Sequence, residues 1–144
     1  MSLPTRDHGA SVTCLIEQPD KKDQIMLLLQ RPGNNKLPYY CGHGVKPHGA
    51  LGLELVDSTK LDFLSWSEVR AALILSKFNS TLTMVLDSCF AGVWAMECNA
   101  EARNPRSEMN RILPKLMVTF HLGCAPHEFR GYEPQNGKFT KTWL

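Results

Sequence analysis

No apolar run in this chain approaches the roughly 18 residues that would span a bilayer, and the opening stretch MSLPTRDHGA has no apolar centre of the signal-peptide kind. The expected setting is cytoplasmic, with no membrane partner. An excess of one charge is also missing. Sixteen basic and 14 acidic residues are interspersed without long runs for a net charge of +2, which leaves no electrostatic footprint for nucleic acid. Paired cysteines are missing as well. The five present (Cys14, Cys41, Cys89, Cys98 and Cys124) are odd in number, widely separated and form no CxxC, which argues against a disulfide framework and a structural zinc site. With no internal repeat and no low-complexity segment, 144 residues of 43% hydrophobic content suffice for one globular core.

What is present is an alternation of apolar runs with polar, Gly- or Pro-containing breaks, the rhythm of an α/β fold. Residues 23–30 (DQIMLLLQ) read as a short amphipathic helix that stops before Pro32-Gly33. Residues 37–41 form a short aromatic strand leading into Gly42-His43-Gly44, where flanking glycines leave the histidine backbone free to turn; Tyr39 and Tyr40 are assigned to sheet packing. A strand is expected over 51–56. The Ser65-Trp66-Ser67-Glu68 capping box, with Leu64 and Val69 at staple positions, opens a helix to about Phe78. Its Trp66, Val69, Leu73 and Lys77 spacing describes a core face with a solvated end. Residues 81–86 (TLTMVL) make the next strand, ending at Asp87-Ser88-Cys89. The polar segment 97–114 reads as an exposed loop, or a loop with one weak helical turn. A last strand covers 115–122, and a helix begins near 138.

His43 and Cys89 both fall at the carboxyl ends of predicted strands, where open α/β sheets bind ligands. A crossover between them could set those strands side by side. A thiol with an ordinary pKa near 8.5 needs a neighbouring base to become a nucleophile, and an imidazole supplies it. The amides of Gly44 and Cys89 are the candidate oxyanion donors. His121, Cys124 and His127 are spaced in threes, but three ligands lacking a fourth read as coincidence, so no metal is expected. The other four cysteines are assigned to structural positions.

The Tyr39-Tyr40-Cys41-Gly42-His43-Gly44 stretch resembles the Tyr-Ser-Gly-His-Gly box of metacaspases and bacterial caspase-like proteins, with Cys41 in the usual serine position. Val85-Leu86-Asp87-Ser88-Cys89-Phe90-Ala91-Gly92 resembles their nucleophile box. The span from His43 to Cys89 is close to the about 50 residues that separate these groups in caspases. Gly123-Cys124-Ala125-Pro126-His127-Glu128 and the later 136–140 stretch are similar to the family's last core strand and following helix. The resemblance covers residues 20–144, leaving 1–19 as a poorly defined N-terminal segment. It implies a three-layer α/β/α sandwich, incomplete at its N-terminal edge and C-terminal end, and a cysteine endopeptidase acting on protein or peptide chains. His43 and Cys89 would be its dyad, Gly44 and Cys89 its oxyanion donors, and Asp87 the acidic pocket residue selecting Arg or Lys. Cys41 is expected to be a buried small side chain. The polar segment before Pro114 would correspond to the intersubunit linker, with Arg103, Arg106 and Arg111 as candidate self-cleavage sites. No cofactor is implied; some members of the family depend on calcium, which stays open here because nothing forms an EF-hand loop. No third orienting residue is identifiable. The rival readings are a non-catalytic caspase-like scaffold and a hydrolase of non-peptide acyl groups or amides using the same dyad.

Overall fold

The computed structural model describes residues 11, 13–15, 20–32, 35–46, 50–56, 61–76, 81–113, 116–125 and 127–128. The anticipated helix near 138 and the 136–140 stretch lie outside them. Among the described residues, ten elements follow one another: α1 (Lys21–Gln30), β1 (Tyr39–Cys41), β2 (Gly44–Val45), β3 (Gly52–Val56), β4 (Leu61–Ser65), α2 (Trp66–Leu75), β5 (Thr81–Asp87), α3 (Gly92–Ala102), α4 (Glu108–Ile112) and β6 (Met117–Leu122). The fold is mixed α/β. A parallel sheet has the order β1-β5-β6, and a separate antiparallel sheet has the order β2-β3-β4. Among the described residues, no helix is long and apolar enough to cross a membrane.

β5 is central because both its faces are covered: Leu82, Met84, Val85 and Leu86 are all buried. Such a run of branched and apolar residues suits a parallel strand. It pairs with β1 from Tyr39↔Val85 to Cys41↔Asp87, and with β6 from Thr81↔Met117 to Leu86↔Leu122.

α2 starts where the sequence places it. The Ser65 hydroxyl accepts from the Glu68 amide, and the Glu68 carboxylate accepts from the Ser65 amide at 2.9 Å. Together these satisfy two amides that an uncapped helix start leaves open. Leu64, Trp66, Val69 and Leu73 are buried, as the staple and core face require. The helix ends at Leu75, three residues earlier than expected, because Ser76 takes an extended conformation.

The segment 97–114 is a correction. It is not a loop with one weak turn but the second half of α3 followed by α4. Most of its polar residues occupy outer faces, while Cys98 and Met109, with Trp94 one turn earlier on α3, are buried, as is the capping Ser107. Ser107 caps α4 by accepting from the Met109 amide at 3.2 Å. Trp94 is fully buried and donates through Nε1 to the Leu51 carbonyl at 3.2 Å, which ties α3 to the start of β3. Trp66 meets both Trp94 and Phe120 with ring centroids 6.1 and 6.0 Å apart, joining α2 to α3 and β6. The short strands β2 and β4 also go beyond the sequence reading.

Candidate functional site

Parallel pairing of β1 with β5 brings the two sequence boxes to one sheet end. Cys41 stands opposite Asp87, and the chain continues alongside, with the Gly42 amide donating to the Asp87 carbonyl at 3.2 Å. His43 follows as an exposed residue between β1 and β2, and Cys89 lies half-buried in the turn that leaves β5. Asp87, half-buried, is the last residue of β5.

Gly44 makes a second close junction between the two boxes. It is buried, and a side chain there would overlap the Cys89 carbonyl oxygen, with the Leu51 Cδ1 at 3.0 Å and the Cys89 carbonyl carbon at 3.2 Å. The chain bends at Gly42, but neither Gly42 nor Gly44 occupies the left-handed region, and both are also required for close contact.

The turn that carries Cys89 is held from several sides. Buried Ser88 donates through its hydroxyl to the Cys89 carbonyl at 3.3 Å. Phe90 adopts a φ of 58°, a left-handed conformation that a bulky residue rarely takes. Its amide donates to the Glu128 carbonyl at 3.1 Å, and the Gly92 amide to the Cys124 carbonyl at 3.0 Å. The Lys46 ammonium sits 5.3 Å from the Phe90 ring centroid, a cation–π contact reaching from the end of β2. A strained turn with this many supports is over-determined in the way active-site turns often are.

Sequence reasoning missed the part played by Tyr40. Its hydroxyl lies 2.9 Å from the His43 carbonyl and 2.8 Å from the Glu54 carbonyl, while the Glu54 amide donates to the same His43 carbonyl at 3.0 Å. Burial, reinforced by the nearby Glu54 and Cys41, pushes the phenol well above its ordinary value and keeps it protonated. The signal was available only as a tyrosine beside the histidine box. Tyr39, assigned with it to sheet packing, is exposed instead.

Two of the four cysteines assigned to structural positions are also corrected. Cys14 and Cys41 are exposed, whereas Cys98 and Cys124 are buried. Cys41 faces outward because alternation along β1 turns Tyr40 towards β3 and its neighbour away.

Arg103, Arg106 and Arg111 are exposed but belong to a partly helical segment. Arg103 caps the end of α3, Arg106 lies in the turn between helices and Arg111 sits in the last turn of α4. His121 stands opposite Val85 within β6, Cys124 is buried and His127 exposed. Among the described residues, no group of three or more His, Cys, Asp or Glu side chains is gathered to hold a metal ion. A cavity of about 240 Å³ lies between the start of α2 and α3, lined by Trp66, Arg70, Glu97 and Glu101 among others, and contains none of the box residues.

No family model, curated protein or solved structure matches this chain. Its class is therefore inferred from its own residues.

Proposed function

We propose that the protein is a cysteine endopeptidase of the metacaspase type, cleaving protein chains after Arg or Lys, with a caspase-like three-layer sandwich as its fold. The observation that carries this reading is the junction of the two boxes. Gly42-His43-Gly44 runs beside Asp87-Ser88-Cys89 at the carboxyl ends of adjacent parallel strands, with Gly44 packed on the Cys89 carbonyl.

In this mechanism His43 takes the thiol proton and the Cys89 thiolate attacks the scissile carbonyl. The amides of Gly44 and Cys89 receive the oxyanion of the tetrahedral intermediate. His43 then gives its proton to the leaving amine, and water hydrolyses the thioester. Asp87, at the end of β5, is the carboxylate assigned to the basic side chain of the substrate.

Hydrolysis of an Arg-ended fluorogenic peptide, with and without calcium, tests the reading beside Cys89→Ala and Asp87→Ala variants and a panel of Lys, Asp and Gln substrates. Activity lost in the first variant, and Arg preference lost in the second, is the expected result. Silence from the folded wild-type protein under both conditions would assign the chain to the scaffold class.

A further inference from the structure

We propose that Tyr40 is a positioning residue for oxyanion binding, presetting the direction of the Gly44 amide through the carbonyl of His43. This rests on the protease reading above and concerns how the same site is held.

The strand register supplies the first step. β2 pairs with β3 as Gly44↔Leu53 and Val45↔Gly52, and the Glu54 amide donates to the His43 carbonyl. In an antiparallel ladder, a bond between the residues flanking a pair marks that pair as non-hydrogen-bonded. Gly44 therefore turns its N–H away from β3, and the antiparallel ladder does not consume it. The position of Gly44 against the Cys89 carbonyl puts this amide beside the nucleophile turn.

The second step is the peptide plane. The His43 C=O and the Gly44 N–H belong to one planar trans unit and point in opposite directions. Whatever holds the carbonyl also aims the amide. Two donors hold it: the Glu54 amide at 3.0 Å and the Tyr40 hydroxyl at 2.9 Å. The hydroxyl also reaches the Glu54 carbonyl at 2.8 Å, so its one proton is shared between the two acceptors and the phenol bridges the residue before β2 to β3.

Gly42 completes the arrangement. A methyl group at position 42 would stand 2.6 Å from the Tyr40 hydroxyl oxygen and 2.9 Å from the ring carbon bearing it. The first glycine of the box thus makes room for the phenol, and the second for the nucleophile's carbonyl.

Tyr40→Phe keeps the ring and removes the hydroxyl. The expected result is a fall in kcat of about 5- to 30-fold, less than the hundredfold or more that follows outright loss of an oxyanion donor, with KM changed by less than about twofold. A peptide arginine aldehyde, whose adduct with Cys89 carries an oxyanion-like oxygen, should lose affinity in parallel with kcat. The corresponding alcohol, which forms no adduct, should bind as it does to wild type. Gly42→Ala, which displaces the hydroxyl without deleting it, should give the same split. In the free protein, the Gly44 amide resonance should shift and exchange faster in both variants, with or without enzymatic activity.

Wild-type kcat and aldehyde affinity in Tyr40→Phe would overturn the assignment, and so would an equal loss of aldehyde and alcohol affinity. If wild-type protein proves inactive, the protease reading fails. The amide resonance then still decides the positioning role, and an unshifted Gly44 signal in both variants overturns it.

Discussion

Gly44→Ala tests the junction of the two boxes directly. The added methyl overlaps the Cys89 carbonyl oxygen and comes within 3.0 Å of Leu51 Cδ1. The leucine can rotate, but the carbonyl cannot move without displacing the turn of Ser88, Cys89 and Phe90. That turn is fixed by the Ser88 hydroxyl, the Phe90-to-Glu128 bond and the left-handed Phe90 backbone. Overpacking against rigid surroundings costs about 1–3 kcal/mol, and a backbone obstacle points to the upper part of that range. For a chain of this size the melting temperature should fall by roughly 5–10 °C, measured by circular dichroism. On the proposed protease reading, reporter hydrolysis should fall further than stability does, because the relief of the clash moves Cys89. Gly52→Ala is the matched control. The three atoms nearest a methyl there all belong to the Phe63 side chain, at 3.2 to 3.5 Å, and the gain in chain stiffness offsets part of the cost, so the loss should stay below about 1 kcal/mol. Equal melting temperatures for wild type and Gly44→Ala would refute the close approach, and with it the meeting of the boxes.

Two further outcomes follow from ionisation and burial. Lys22 joins α1 to α2 and β4 by pairing with Glu68 at 2.6 Å and Asp62 at 3.2 Å. Burial opposes ionisation of Glu68, but the Lys22 ammonium and the Ser65 donors outweigh it and lower its pKa. A lowered carboxylate contributes stability above its unfolded value near 4.3 and loses it as pH falls through the folded value. The stability difference between wild type and Lys22→Met in urea should therefore be about 0.5–1 kcal/mol at pH 7 and shrink below about pH 4; a difference that is flat from pH 7 to pH 3 would contradict the pairing. Native alkylation followed by mass spectrometry should modify Cys14, Cys41 and Cys89 well before Cys98 and Cys124. Burial, with Glu101 nearby, pushes the Cys98 thiol up to about 11, so labelling of Cys98 as fast as Cys41 at pH 8 would contradict the inward face of α3.

The sequence was most legible where a local rule acts without competition. Ser65 and Glu68 spell out a helix start in four residues, and the TLTMVL run leaves little alternative to a buried strand. The two strand ends that hold His43 and Cys89 were readable for the same reason. The α3–α4 segment was not, because its polar residues outnumber its anchors. Trp94, Cys98 and Met109 bury against other elements, and that partnership is absent from local composition. β2 and β4 are short strands whose existence depends on pairing with β3, so no window of their own sequence announces them. The outward face of Cys41 and the bridging hydroxyl of Tyr40 depend on which side of β1 meets β3, which is a tertiary fact.

The pairing of β1 with β5 also has a consequence for the timing of assembly. His43 and Cys89 are separated by the β2-β3-β4 sheet and α2, all of which must be threaded before the histidine strand can find its neighbour. Contacts of such long sequence separation form late, after the entropy of closing the intervening chain has been met. The turn around Cys89 needs still later residues, since Gly92 is anchored by Cys124 and Phe90 by Glu128. During synthesis the histidine box emerges first and waits for the chain as far as residue 128. A nascent or partly folded copy thus holds a cysteine and a histidine that have not yet met, and the same topology that brings their two strand ends together delays that meeting until the later strands are in place.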